Sequence, residues 1–514
     1  MQISGRSGAR PDKYQLRRGL PLGRLSRSLN APALFASAYG NVGSDIYFAL
    51  GLVALYALGL TPVVFLLAGL LFVTTALSYA EASTILPEAG GCSTFARVAF
   101  NDLIGFLAGW GVALDYILTA AISALFVPHY LAALGLPWLK QAPGDALAGM
   151  AILGLLVLLN LVGVNDSAWL NLGIAIADLI TQGLIILLGL IAVFSLPTLL
   201  HNVHLGVAPT WGEFAFSVSI AVVAYTGIET ISNLAGETRH PARAIPRATF
   251  ALIIAVLAIY LLLTSIALSA MPVHPMAVPD PITGSLFATD LGTVYQADPV
   301  VGIVENLPAW LDAAKPLLRA WVGVLASTIL LVATNAALLG LSRLTFSQSH
   351  HDHLPALFGR LHPRTHVPWV AIVTGGAVAV ALLIPGLFGV SEADLLGTLL
   401  SFGALIGFTA AHFAVVKLRR MNVEPRGTFR IPGSVRWRGK DLVVIPLIGG
   451  VGTAVVWCSV VLTHVTARWV GLGWMLVGLA FYAVYRRHRG LPIIGREADL
   501  SAVHQAIREA RRGE

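Results

Sequence analysis

The chain has 514 residues, 56% hydrophobic and only 11% charged, with a mean hydropathy of +0.79. Soluble domains carry about 25% charged residues, so this composition excludes a soluble enzyme and points to an all-α polytopic membrane protein. The net charge of +7 is topological rather than a sign of nucleic acid, and Cys92 and Cys458 sit in separate segments, so no disulfide framework is expected.

Residues 1–30 form a basic, polar tail. The apolar run after it exceeds the roughly 7–15 residues of a signal-peptide core, so no cleaved signal is expected. Stretches near the ~20 apolar residues that cross a bilayer predict twelve transmembrane helices: 31–58, 61–86, 102–134, 144–164, 167–196, 212–236, 246–271, 316–347, 368–387, 393–417, 442–466 and 469–485. With the N-terminus inside, the cytoplasmic segments hold all but four of the 33 Lys and Arg residues; Lys140, Lys315, Arg319 and Arg468 remain outside. The outer loop 272–315 carries Asp280, Asp290, Asp298, Glu305 and Asp312. This asymmetry predicts a multi-pass plasma-membrane protein with both termini cytoplasmic. In the tail 486–514, Leu500, Val503 and Ile507 lie at helical spacing after Asp499, which fits a short surface helix or a frayed end.

Two spans are interrupted. The first reads Gly40-Asn41-Val42-Gly43-Ser44-Asp45-Ile46-Tyr47, with polar residues and glycines at membrane depth. The sixth reads Tyr225-Thr226-Gly227-Ile228-Glu229. Lipid cannot satisfy loose backbone groups, so such breaks must face a site. Positions one and six correspond if helices 1–5 (31–196) and 6–10 (197–417) form two inverted repeats, with residues 418–485, a cytoplasmic loop and helices 11–12, added outside them. Paired broken helices in inverted repeats mark a transporter's midplane site.

In order along the chain, Gly40 to Gly51, Tyr79-Ala80-Glu81 with Pro87-Glu88-Ala89-Gly90-Gly91, Tyr225 to Glu229 with Asn233 and Glu237, His240 to Arg247, and Ser342-Arg343 with Leu354-Pro355 and His362-Pro363-Arg364 form a specific set. Over roughly residues 30–440 this set resembles the amino acid–polyamine–organocation superfamily of permeases. The resemblance implies a LeuT-like 5+5 inverted repeat with helices 1 and 6 broken, and alternating access. It implies a substrate carboxylate on free N–H groups of helix one and an amino group on free carbonyls of helices one and six, as helix-end charges favour. The substrate-binding candidates are therefore Gly40, Asn41, Val42, Gly43, Ser44, Asp45 and Tyr47, with Tyr225, Thr226 and Gly227. Where many amino acid permeases have Gly-Ser-Gly, this chain has Gly43-Ser44-Asp45, and an ionised Asp45 would repel a carboxylate.

Asp45, Asp115, Asp178 and Glu229 lie well inside apolar spans. Intramembrane acids are functional candidates by default; these can carry a proton or stay charged beside a bound cation. Asp115, Thr119 and Ser123 fall at i, i+4 and i+8, on one helix face, with Tyr116 beside them. With Thr226, Glu229 and Tyr47 this patch is similar to the potassium site of KimA-type importers, although Gly40 and Leu400 stand where that branch carries an Asp and a Tyr. Asp178 falls where some proton-coupled permeases carry a helix-five Lys. The coupling candidates are Asp115, Tyr116, Thr119, Ser123, Asp178 and Glu229.

Structural readings stand beside these. Small residues at Gly40–Asp45 could make a helix contact, and each acid could hold helices together by hydrogen bonds. Glu81 reads as structural or as a cytoplasmic gate. His350-His351-Asp352-His353 reads as a solvated cytoplasmic loop, and no metal or cofactor is expected beyond a coupling proton or alkali cation. The favoured reading is a secondary transporter taking up an amino acid or related amine with protons. The alternative is a proton-coupled potassium symporter; a non-transporting sensor lacks a signalling domain. An enzyme is excluded because no nucleophile–base or metal-ligand set lies at a membrane face. The expected partners are a small-molecule substrate (amino acid, amine or K+) and the lipid bilayer.

Overall fold

The computed structural model describes residues 29–162, 168–362, 365, 367–389, 393–421, 428–437 and 440–495. The tail up to residue 28, Gly163, Ser167, Pro363, Arg364 and the expected helix after Asp499 lie outside the described residues.

Apolar runs become helices because a backbone away from water must satisfy its own polar groups. Eleven stretches among the described residues are long and apolar enough to cross a membrane. The first, Ala31–Ile85, has 55 residues, far more than one crossing of a ~30 Å core needs. It contains both of the first two expected spans: α1 (Ala31–Val42) and α2 (Ile46–Ala57), then α3 (Thr61–Ile85). The division falls at the 3-10 segment Leu58–Leu60, where Leu58 has φ 48°. Gly59 is required there, since a Cβ would lie 1.9 Å from the Asn202 carbonyl oxygen.

The remaining helices follow the expected spans closely. They are α4 (Gly91–Ala99), α5 (Asp102–Leu131), α6 (Gly144–Val162), α7 (Ala168–Ala192), α8 (Leu196–His201), α9 (Trp211–Ala221), α10 (Glu229–Asn233) and α11 (Pro241–Ala270). Then come α12 (Pro299–Glu305), α13 (Lys315–His350), α14 (Trp369–Leu382), α15 (Ala393–Arg420), α16 (Val444–Thr463) and α17 (Val465–His488). Helix α11 starts at Pro241, five residues before the expected span, because Pro is tolerated in a first turn. Helix α4 is an addition: the stretch after Gly90 and Gly91 is not an open loop but a buried helix packed on α5 and α15.

Helix α5 is the central post. It packs along α13 and α15, and its segment from Gly111 to Pro128 is buried throughout. Helix α1 lies against α7, α11 and α13, while α2 lies against α9 and the short helix α12. Helix α17 is tied to α5 by reciprocal indole bonds, Trp110 Nε1 to the Trp474 carbonyl (2.9 Å) and Trp474 Nε1 to the Trp110 carbonyl (3.0 Å). Leu155, Leu158, Leu187, Val455, Leu476 and Val477 are exposed apolar side chains on α6, α7, α16 and α17, as lipid contact requires. Two short hairpins qualify the all-helical expectation: β1 (His274–Pro275) with β2 (Phe287–Ala288), and β3 (Ser434–Trp437) with β4 (Lys440–Val443).

Candidate functional site

Asn30 caps α1 by accepting from the Ala33 N–H at 3.0 Å. The ladder runs to Gly43, whose N–H reaches the Tyr39 carbonyl at 2.6 Å. It then tightens: the N–H groups of Asp45, Tyr47 and Phe48 bond three residues back, to Val42, Ser44 and Asp45, before Ala49 N–H resumes the four-residue pattern on Asp45 at 2.8 Å. Gly43 and Asp45 keep right-handed helical dihedrals. The interruption of helix one is therefore a tight turn and not an unwound segment. The N–H groups of Gly43 and Asp45 are spent inside the helix, whereas those of Ser44 and Ile46 make no backbone hydrogen bond among the described residues. Two hydroxyls serve the leftover carbonyls. Ser44 Oγ donates to the Asn41 carbonyl at 2.7 Å, and the Tyr260 hydroxyl donates to that of Val42.

Helix six opens further. After α9 the chain tightens to 3-10 at Val222–Tyr225, extends at Thr226 (ψ 166°), and passes through Gly227 at φ 95°. Only glycine takes that conformation freely, and a Cβ there would lie 2.7 Å from Asn41 Cγ. The Glu229 carboxylate then turns back on the preceding chain, its Oε2 accepting the Gly227 N–H at 2.8 Å.

The two interruptions meet. Thr226 Oγ1 lies 3.1 Å from Asp45 Oδ2 and also from the Val223 carbonyl, and Asn41 Nδ2 donates to Thr230 Oγ1 at 3.2 Å. Helix α5 adds the third side. Asp115 is within electrostatic range of Glu229 and Asp45, and the neighbouring Tyr116 hydroxyl accepts from Asn233 Nδ2. Asp45, Asp115 and Glu229 are 0%, 1% and 1% exposed, so the cluster is sealed from both sides.

The seals are visible. At one end Leu29 pairs with the chain entering α11, its N–H on the Glu237 carbonyl (3.0 Å) and its carbonyl accepting from Arg239 N–H (2.8 Å). Glu237 is 3.2 Å from Arg343. Glu81 forms a buried two-pronged pair with Arg419, both contacts at 2.5 Å, and also accepts the Ile431 N–H. At the other end Gly51 lies against the backbone of Gln296, and Lys140 pairs with the buried Asp298.

Other candidates lie elsewhere. Asp178 is not in the acid cluster: its carboxylate accepts from Tyr39 (2.8 Å), Tyr47 (2.6 Å) and Gln182 Nε2 (2.8 Å). Tyr47 is thereby tied to helix α7. Tyr225 spends its hydroxyl on the Phe65 carbonyl at 2.7 Å. Gly40 is in close contact with Val332 of α13, so it is a packing position. Among the described hydrogen bonds, neither Thr119 nor Ser123 reaches Asp45, Thr226 or Glu229. The histidine run disperses, His350 and His351 bonding the Phe346 and Ser347 carbonyls and His353 facing Asp102. Among the described residues no group of His, Cys, Asp or Glu is gathered to hold a metal. Sequence reasoning missed Thr230 and Tyr260, and named Asn233 as part of the sixth-helix motif without a place in the site. Thr230 and Asn233 lie within four residues after Glu229, and Tyr260 is the one tyrosine of the span Pro241–Ala270; these were the available signals.

Two interrupted helices closing on a buried polar cluster, inside a helical membrane bundle, define a membrane transporter rather than an enzyme. A profile described as amino acid permease matches residues 29–482, and the chain belongs to that family, within the amino acid–polyamine–organocation superfamily. It is similar to the methylthioribose transporter of Bacillus subtilis (strain 168), 26% identical over 491 residues covering 91% of this chain and 95% of the relative. The branched-chain amino acid permease BcaP of the same organism is 26% identical over 488 residues, covering 90% and 94%. A crystal structure of the Eremococcus coleocola manganese transporter, bound to an aromatic bis-isothiourea substituted compound, shares the fold with a TM-score of 0.52. It is 13% identical, with 96% of this chain and 100% of that chain covered. The protein is a secondary transporter of this family.

Proposed function

We propose that this chain takes up an amino acid or related amine across the plasma membrane by alternating access, with the substrate held where helices one and six are interrupted. The observation that carries this is the meeting of the two interruptions through Asp45–Thr226 and Asn41–Thr230 at full burial. Asp45, Asp115 and Glu229 are the coupling groups. They are acids in a low-dielectric interior, where an uncompensated charge is costly, and a proton moving with substrate offsets that cost. Thr226 and Gly227 shape the substrate cradle. Twelve spans with both termini cytoplasmic follow from the charge asymmetry, all but four of the 33 Lys and Arg residues falling on one side. The relatives carry chemically different cargoes by name, a thioether sugar and branched-chain amino acids, so the substrate must come from the site itself.

The test is uptake into proteoliposomes holding the full chain, with and without an imposed inward proton gradient. Radiolabelled amino acids, amines and rubidium are compared. Uptake accelerated by the gradient and abolished by a protonophore is the expected result. Uptake indifferent to the gradient would remove proton coupling, and no flux of any solute would remove the transport site.

A further inference from the structure

A charge cluster outside the transport site lies where α5 begins, just past the end of α13 and at the end of α17. Asp352 turns the chain after α13 with a left-handed backbone (φ 54°), and His353 follows it inward, 1% exposed. Its ring sits edge-on to Phe106 of α5, which stacks on Tyr482 of α17. Neither ring nitrogen has a hydrogen-bond partner among the described residues, and Nε2 lies 3.6 Å from Asp102 Oδ1. The other oxygen of Asp102 accepts from the buried Arg486 at 2.8 Å. Arg486 in turn holds the chain that follows α17. Its Nε and Nη2 both donate to the Pro492 carbonyl, at 3.0 and 2.8 Å. The Leu491 N–H returns to the Arg486 carbonyl at 2.8 Å, and the Tyr482 hydroxyl donates to the Ile493 carbonyl at 3.0 Å. Gly495 lies directly against the Asp102 carboxylate.

We infer that this cluster is a proton-released latch: a proton on His353 loosens Arg486 from Asp102 and frees residues 491–495 from α5. The charges around the ring decide this. From α5 it faces Asp102, from α17 Arg486, from α4 Arg97, and on its own turn His351. Arg97 is shared between Glu88 and Asp102, and Asp352 is directed to Arg489 at 3.5 Å. The carboxylate acting on the ring is therefore that of Asp102, already paired with a guanidinium. An imidazolium would be a further buried cation competing for one anion, and a buried charge without its own partner is costly. Burial, opposed by Asp102 and helped by Arg97 and Arg486, holds the imidazole below its usual value. The closed latch thus binds fewer protons than the open one, and falling pH opens it. The latch clamps the start of α5 to the turn after α13. These two helices pack along each other and bring Asp115 and Val332 to the interruptions. Opening it loosens the wall on which the interruptions close, so acid slows uptake. On the side proposed above to face the cytoplasm, where proton-coupled uptake delivers its protons, this is a brake; the brake rests on that reading, whereas the latch does not.

Hydrogen exchange of the full chain in detergent tests the latch. It is read at the Leu491 amide as a protection factor, so that the intrinsic pH dependence of exchange cancels. A ring that is neutral in the closed latch and titrates at about 6.5 in the open one makes opening about tenfold easier at pH 5.5 than at pH 7.5. Protection should therefore fall about tenfold in the unaltered protein and stay level in His353→Gln, which cannot take up the proton. Asp102→Asn, which gives up the pair with Arg486, should be poorly protected at both values and decides the matter if the Gln variant does not fold. Level protection in the unaltered protein, an undiminished fall in His353→Gln, or full protection in Asp102→Asn overturns the latch. In proteoliposomes with both compartments moved together between these values, uptake of radiolabelled amino acids and amines should fall further in the unaltered protein than in His353→Gln. Equal falls overturn the brake. No flux of any solute overturns the transport reading instead, and the exchange measurement still decides the latch.

Discussion

Gly227 shows how much one residue constrains. Its φ of 95° and its contact with Asn41 leave no room for a side chain. Gly227→Ala pays twice, for a left-handed backbone costing ~1–2 kcal/mol and for displacing Asn41 from Thr230. Thermal unfolding in detergent should show a lower midpoint, and uptake should fall more than stability does, because the cradle itself is deformed. The sequence displayed the acids and glycines of both interruptions, since polar residues in apolar spans stand out. It did not display direction. Tyr47 was read with the Asp115 patch, yet it faces Asp178, because the tight turn at Gly43–Asp45 fixes which way α2 presents its side chains.

At the scale of elements, Asp178 is a staple. Tyr39 ends in α1 and Tyr47 in α2, on opposite sides of the interruption, and both hydroxyls bind one carboxylate on α7. Helix five thus holds the two halves of helix one in register. Asp178→Ala should speed hydrogen exchange of the amides around 43–48, whereas Tyr39→Phe or Tyr47→Phe alone leaves the other strut. Double-mutant cycles on Asp178 with either tyrosine should show coupling of ~0.5–3 kcal/mol; additive effects would remove the staple. The Glu81–Arg419 pair is a second tie, joining α3, α15 and the strand of chain at Ile431. Removing one buried partner should cost ~3–5 kcal/mol, and removing both together less, as read by the unfolding midpoints of Glu81→Gln, Arg419→Gln and the double variant. Long spans were legible here because twenty apolar residues have few alternatives. Helices α4 and α12 were not, since 9 and 7 residues are too short to signal a span and gain their order only from packing.

For the whole molecule, hydropathy and charge asymmetry made the helical bundle legible, and the ordered motifs pointed to the family. The closure at both ends was not legible, because it depends on contacts between distant segments: Leu29 with Glu237–Arg239, and Gly51 with Gln296. One such contact makes overall stability depend on pH. His464, the turn residue between α16 and α17, stacks on Phe216 of α9 with ring centroids 3.6 Å apart. Burial pushes its imidazole below the usual value, to about 4. The folded protein therefore keeps this ring neutral while the unfolded chain protonates it below about 6.5. Stability from this group is complete above that value and is lost as pH falls from there toward 4. The unfolding midpoint should drop between pH 7 and pH 5, and His464→Phe, which keeps an aromatic ring against Phe216, should flatten part of that slope. An unchanged slope in the Phe variant would show that the acid sensitivity arises in other buried groups and not at this turn.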